Sequence, residues 1–310
     1  MNPVTRLARE LTDLKRVASP DTFLRYLTSL ARNGLAVIKA RSLVAADAGM
    51  RGDVDFVING ERIVVPLDAI WHSLSERDET PTFGSLREMY AQNVYLRAFR
   101  PATSLGAVLD LGGNRGLFSI LAVKAYGASI AVSVEPLAQY NAALSLLREA
   151  NGLEEARTPR VNAFASDVAG EGKVTLPQLL ARHDIVQVGF MKCDIEGGEF
   201  ALLSFAGEAL RRIDNIAIEM HPEMGDPSSV VAALSSAGFA LRPTDQFGDP
   251  PQGAPHYLYA SRTDALLEPG RPVVRRSTEG AMWHRNDIRS DLIRTAARAA
   301  RSFRVGSVDD

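Results

Sequence analysis

From Gly106 to about Arg262 the chain alternates short apolar runs with stretches of helical periodicity, and that alternation leaves few folds open. The apolar runs are Ala107-Val108-Leu109, Ile130 to Val134, Val161 to Ala165, Val186 to Cys193 and Ile216-Ala217-Ile218. A helical stretch follows each: Leu117 to Ala125, Leu137 to Ala150, Leu176 to Ala181, Phe200 to Leu210 and Ser228 to Ala237, the last closed by Gly238. Glycine is favoured there because the residue after a helix often needs a positive φ. Strands that are almost wholly apolar and flanked by helices are buried on both faces, which predicts a parallel sheet covered on two sides. Phe239-Ala240-Leu241 and His256 to Ala260 can supply two more strands. The expected architecture is α/β, a doubly wound, mostly parallel sheet.

The flanks read differently. Leu7, Leu11 and Leu14 recur at helical spacing, Ser19-Pro20-Asp21 interrupts, and Phe23, Leu27 and Leu30 resume. Val54 to Ile58 and Glu61 to Val65 enclose Asn59-Gly60, a hairpin signal because both turn residues need positive φ; Pro66 ends the second strand. A polar loop around Ser73 to Thr82 precedes a helix expected to contain Leu86, Met89, Tyr90 and Tyr95. Trp71, Tyr90 and Tyr95 are candidates for a wall or lid. After the linker-like Pro269-Gly270-Arg271-Pro272, residues 286–304 form a basic amphipathic pattern with Ile288, Leu292, Ala296, Ala299 and Phe303 on one side. Such a helix can bind membranes or partners; packing on its own domain is the expectation. The organisation read from these features is a helical extension with a hairpin at 1–100, a sheet domain at 101–262 and a basic tail at 263–310.

Composition narrows the function. The chain has 310 residues, 46% hydrophobic and 23% charged, enough apolar surface for a packed core. Cys193 is the single cysteine, so no internal disulfide can form. No apolar run approaches the roughly 20 residues of a membrane span, and the N-terminus lacks a signal-like apolar core. A cytoplasmic setting is expected. The net charge of −2 is uneven, with +4 in 1–50, +2 in 263–310 and therefore −8 between. An acidic body argues against a nucleic-acid grip and tolerates a cationic ligand.

The segment Leu109-Asp110-Leu111-Gly112-Gly113-Asn114-Arg115-Gly116 joins the first strand of the sheet to its first helix. Open parallel sheets bind ligands at the carboxyl ends of strands, where the strand order reverses. The dinucleotide pattern G-x-G-x-x-G fails here, since Asn114 stands at its second glycine and Leu117 lies one position beyond Gly116. The phosphate loop G-x-x-x-x-G-K-[ST] is absent. Instead the loop opens on a carboxylate, Asp110, and a second, Glu135, ends the next strand. A carboxylate at that place can accept both hydroxyls of a ribose, and an acidic loop suits an ammonium group. Ribose plus amino acid outlines S-adenosyl-L-methionine.

Val108 to Gly116 resembles the first motif of class I S-adenosylmethionine-dependent methyltransferases. Within that fold the chain is similar to the FkbM family, on Val174-Thr175-Leu176, on Met191-Lys192-Cys193-Asp194-Ile195-Glu196-Gly197-Gly198-Glu199 and on Ile218-Glu219-Met220-His221. The likeness spans roughly residues 100 to 260; Cys193 and Gly198 depart from its usual pattern, and the two terminal extensions lie outside it. It implies a seven-stranded, Rossmann-like sheet with a reversed last strand, and O-methylation of a small molecule or sugar. The expected cofactor-binding residues are Asp110, Gly112, Gly113, Asn114, Gly116, Glu135, Ser166, Asp167 and Asp194. Ser166 and Asp167 follow the third strand, where class I enzymes commonly hold the adenine amino group.

Asp194 and Glu196 end the fourth strand; Glu219 and His221 end the fifth. His221, Asp194 and Glu219 are the expected catalytic residues, with His221 as base. Glu196 reads also as a helix cap, and Lys192 as a partner for an acid. Asp194, Glu219 and His221 can equally ligate a divalent ion; acid/base chemistry without a metal is preferred. Cys193 is expected to be a buried apolar residue. Two other classes stay open: an NAD-dependent oxidoreductase on a related sheet, and a non-catalytic binding protein that keeps the fold.

Overall fold

The computed structural model describes residues 3–74, 81–100 and 104–267; the basic tail helix and part of the polar loop before Thr82 lie outside them. Four helices open the chain: α1 (Pro3–Val17), α2 (Pro20–Arg32), α3 (Gly34–Ala40) and α4 (Val44–Ala48). Ser19 caps α2 by accepting the Thr22 amide at 3.2 Å, and Pro20 fits the first turn, which explains the break in periodicity. The hairpin pairs β1 (Asp53–Ile58) with β2 (Glu61–Pro66), and Asn59 and Gly60 take φ of 53° and 84° as the turn demands.

The first departure from expectation follows α5 (Leu67–Ser73). The helix there is two short pieces, α6 (Thr82–Leu86) and a π-helical turn over Arg87–Ala91, and Tyr95 lies beyond both. Gln92 closes the turn by donating to the Arg87 carbonyl at 2.9 Å. Arg87 is buried and pairs with Glu10 of α1 and, at 3.0 Å, with Asp47 of α4. Such wide turns inside helices occur often at functional sites.

The main sheet runs through β3 (Ala107–Leu111), α7 (Leu117–Tyr126), β4 (Ile130–Val134), α8 (Asn141–Asn151), β5 (Arg160–Val161), α9 (Leu176–Arg182), β8 (Val188–Cys193), α10 (Glu199–Phe205), β9 (Asn215–Glu219), α11 (Pro227–Ser236), β10 (Ala240–Thr244) and β11 (Tyr257–Ser261). Its order is β10-β11-β9-β8-β3-β4-β5, seven strands with β11 antiparallel to both neighbours. The third strand is not the continuous run expected over 161–165. Asn162 donates its side-chain amide to the Glu135 carbonyl at 3.0 Å, and the chain leaves the ladder. The residues beyond form β6 (Phe164–Ala165), paired with β7 (Lys173–Val174) in a separate two-stranded sheet.

Strand alternation divides the core. Val108, Ala131, Phe190, Ala217 and Tyr259 face one side, with α7, α8, the hairpin and the N-terminal helices; Leu109, Val132, Met191, Ile216 and Leu258 face the other, with α9, α10 and α11. The N-terminal segment is thus packed into the sheet's own core. Asn151 of α8 secures it by bonding both the amide and the carbonyl of Val64 in β2, at 2.9 and 2.8 Å.

Candidate active site

The chain order grows outward from β3 in one direction through β4 and β5 and in the other through β8 and β9. Loops leaving the carboxyl ends of β3 and β8 therefore part at the switch point, and a crevice opens between them. A cleft of about 630 Å³ lies there, lined by Gly112 to Arg115, Glu135 to Leu137, Ala163 to Ala165, Asp194 to Glu196 and Glu219. Ser85, Glu88, Met89 and Tyr95 of the N-terminal segment form its remaining wall.

The glycine loop is drawn tightly into the sheet. Gly112 has φ 73°, and a Cβ there would stand 1.6 Å from the Asp194 carbonyl oxygen; at Gly113 it would stand 2.0 Å from the Ser133 hydroxyl. All five amides of the loop are used internally. Those of Gly112 and Gly113 both donate to the Val134 carbonyl, at 3.0 and 2.9 Å, and that of Gly116 donates to Gly113 at 2.7 Å. Asn114 donates to Oε2 of Glu135 at 2.9 Å, and Arg115 to the side-chain oxygen of Asn114 at 2.7 Å. The second oxygen of Glu135 accepts the Leu137 amide at 3.0 Å.

The predicted site residues divide. Gly112, Gly113, Asn114, Glu135, Asp194 and Glu219 line the cleft; Asp110, Gly116, Ser166, Asp167 and His221 do not. Asp110 is wholly buried beneath the loop, accepting from Ser119 at 2.6 Å and lying 3.5 Å from Lys192. It braces the turn rather than offering charge to the cleft. Gly116, at φ 88°, packs its Cα against Leu144. Ser166 turns its hydroxyl to Asp167 at 3.2 Å, because the break after Val161 carries both past the wall that Ala163 to Ala165 form. Of the three aromatic candidates for a wall, Tyr95 alone reaches the cleft; Tyr90 is core and donates to the Leu117 carbonyl at 2.9 Å, and Trp71 sits on α5 away from it.

Lys192, 1% exposed, underlies the floor. Its ammonium donates to the Gly112 carbonyl at 2.7 Å and lies 3.4 Å from Oδ2 of Asp194. Burial pulls its basicity down, but Asp194 and Asp110 outweigh that and raise it. Above it the Tyr95 hydroxyl lies 2.8 Å from Oδ2 of Asp194 and 3.1 Å from Oε2 of Glu219. Burial raises the Asp194 carboxyl above its ordinary range, Lys192 only partly opposing it. Burial also acts to raise Glu219, yet His256, the Tyr95 hydroxyl and the Lys192 charge together prevail and hold it low.

His221 stands behind this wall. Its Nδ1 lies 2.9 Å from Oε1 of Glu199, and the same oxygen accepts the His221 amide at 3.0 Å. Burial lowers its basicity, but Glu199 reverses the balance and raises it. Nε2 is 3.4 Å from Glu196, whose side chain is 87% exposed. Glu196 is no helix cap: α10 begins at Glu199 without a side-chain cap. Cys193 is fully buried, and burial together with Glu199 pushes its thiol well above the ordinary range.

Sequence reasoning passed over the roles of Glu199, Glu88, Leu137 and Phe164. The third acid in Asp194-Ile195-Glu196-Gly197-Gly198-Glu199 was the available signal for Glu199; an apolar residue near a strand end gives none for Leu137 or Phe164, and Glu88 reads as one acid in a helical stretch.

The sheet order, with β11 reversed, and the cleft at the switch point are those of a Rossmann-like α/β fold. Residues 155–241 match the family model described as the methyltransferase FkbM domain. Over those residues the chain is similar to the FkbM methyltransferases. No curated protein sequence matches it. Among solved structures it is similar to methyltransferase FkbM from Methylobacillus flagellatus KT, 17% identical over 63% of this chain and 57% of that one, TM-score 0.37. It is similar also to precorrin-6y C5,15-methyltransferase from Geobacter metallireducens GS-15, 16% identical over 55% and 86%, TM-score 0.37. A putative SAM-dependent methyltransferase from Streptococcus mutans is 14% identical over 68% and 55%, TM-score 0.40.

Proposed function

We propose that this chain transfers a methyl group from S-adenosyl-L-methionine to a hydroxyl of a small molecule. The observation that carries the reading is a glycine loop with every amide consumed, set beside a strand-end carboxylate. A dinucleotide's pyrophosphate is held by free amides at such a loop. Here the amides of residues 112–116 are all engaged within the protein, which disfavours the oxidoreductase reading.

The cleft suits the methionine cofactor instead. Each Glu135 oxygen accepts one amide and keeps capacity for a ribose hydroxyl. Leu137 and Phe164, 50% and 60% exposed, offer apolar surface for a flat base on the same wall. When bound, the cofactor supplies an electrophilic methyl on a positive sulfur, and Glu88, Asp194, Glu196 and Glu219 give the far side of the cleft a negative potential to receive it.

The acceptor enters against Ser85, Glu88, Met89 and Tyr95. Its oxygen bonds to the methyl carbon as the carbon–sulfur bond breaks, and the hydroxyl proton passes to a protein base. Asp194, on the wall and made more basic by burial, is placed to take it, with His221 next behind; Tyr95 and Lys192 fix the Asp194 carboxylate. An anionic acceptor would be repelled by the same carboxylates, which favours a neutral small molecule over a nucleic acid.

The test is incubation with methyl-labelled S-adenosylmethionine and an extract of the source cells, then mass analysis of labelled products. An O-methylated small molecule is expected. A chain that binds S-adenosylhomocysteine but labels nothing would instead be a binding protein that keeps the fold.

A further inference from the structure

We infer that Asp194, Glu196 and His221 form a binding site for one divalent cation, of the Mn²⁺ or Mg²⁺ class, at the acceptor end of the cleft. One ligand atom from each, two carboxylate oxygens and an imidazole nitrogen, lie within 4.8 Å of one another. Atoms sharing one ion through bonds of about 2.0 to 2.3 Å stand at most about 4.6 Å apart, so a small side-chain adjustment brings this group onto an ion.

Three features set this group apart from a chance meeting of acids. The first is the imidazole. His221 gives Nδ1 to Glu199, which is 0% exposed, so the tautomer is fixed and Nε2 is the nitrogen left for the group. A buried carboxylate behind a ligating histidine is the usual outer partner of a metal site. The second is the use of Asp194. Its hydrogen bond from Tyr95 and its ion pair with Lys192 both fall on Oδ2, which leaves Oδ1 without a partner among the described residues. The third is charge. Asp194, Glu196, Glu219 and Glu88 share this side of the cleft, and the Lys192 ammonium pairs with Asp194 among them. A divalent ion would relieve that repulsion.

This donor set differs from the one legible in the sequence. Glu219 is held by Tyr95 and His256, and Glu196, displaced by the turn after β8, takes its place. Carboxylates with one imidazole and room for water or substrate oxygens fit Mn²⁺ or Mg²⁺ better than a thiolate-seeking metal. The role of the ion rests on the methyl-transfer reading: bound to the acceptor oxygen, it would make the hydroxyl more acidic and take over that task from a side-chain base. Binding of the ion does not rest on it.

The experiment titrates the metal-stripped full-length chain with Mn²⁺, followed by calorimetry and by loss of the free-ion electron paramagnetic resonance signal. One Mn²⁺ per chain is expected. Glu196→Gln and His221→Ala are expected to weaken it at least tenfold, and Glu199→Gln about tenfold through the imidazole. Glu208→Gln, on an exposed acid elsewhere, should leave it unchanged. Because Glu196 is exposed, its variant keeps the fold, which a matched melting curve checks. No saturable binding, or binding that Glu196→Gln and His221→Ala leave within twofold, overturns the inference. S-adenosylhomocysteine is titrated separately: if it binds and Mn²⁺ does not, the cation site alone falls; if Mn²⁺ binds and it does not, the methyl-transfer reading alone falls.

Discussion

One carboxylate oxygen of Glu199 accepts both the backbone amide and Nδ1 of His221, at 3.0 and 2.9 Å, from a position 0% exposed to solvent. The other oxygen accepts the Gly197 amide at 2.8 Å. One buried side chain thus ties the turn after β8 to the end of β9. Glu199→Ala leaves three donors without their acceptor, and a loss of about 3 kcal/mol in urea unfolding is expected. A loss under about 1 kcal/mol would mean that water replaces the carboxylate.

Glu135→Ala should weaken S-adenosylhomocysteine binding by about 100-fold, since hydrogen bonds to a charged acceptor contribute about 1.5–3 kcal/mol each. The substitution also frees the amides of Asn114 and Leu137, so Glu135→Gln, which keeps an acceptor oxygen, serves as companion. Unchanged affinity in the alanine variant, measured by calorimetry, would remove Glu135 from the ribose role.

Gly112 and Gly152 both have positive φ, 73° and 62°, but their surroundings differ. A Cβ at Gly152 meets nothing within 4 Å; at Gly112 it meets the Asp194 carbonyl oxygen at 1.6 Å. Gly152→Ala should cost about 1–2 kcal/mol, the left-handed penalty alone. Gly112→Ala should melt far lower and lose cofactor binding, because β3 and the turn after β8 can no longer approach. Equal melting temperatures for the two variants would show that the loop yields.

Arg87 is the shared partner of Glu10 and Asp47. Arg87→Met removes the shared cation from two buried carboxylates, leaving Glu10 with Arg6 and Asp47 with the Tyr26 hydroxyl; about 3 kcal/mol of destabilisation is expected in denaturant titration. Because Glu88 and Met89 stand on the same π-helical turn and line the cleft, the variant should also perturb binding there.

Cys193 is fully buried and its thiol is held well above the ordinary range. Iodoacetamide should leave the native chain unlabelled from pH 7 to about pH 9 and modify one thiol once urea is added. Labelling at the native rate of a free thiol would contradict the burial.

The sequence by itself determined what depends on neighbours along the chain. The βα alternation set the strands, because burial on both faces leaves an apolar run whatever lies beside it. Asn59-Gly60 set the hairpin through φ alone, and the loop after β3 and the acid ending β4 marked the cleft. Only the tertiary structure decided what depends on distant segments meeting. It sank Asp110 beneath the loop, because Ser119 and Lys192 offered it partners there. It carried Ser166 and Asp167 past the wall, because Asn162 breaks the third strand. It brought Tyr95, from nearly 100 positions earlier, to bridge Asp194 and Glu219. It set Glu199 behind His221 and gave the acceptor side its wall from the π-helical turn, which local periodicity reads as ordinary helix. A side chain's type is local, but its partners, and so its charge and its work, belong to the fold.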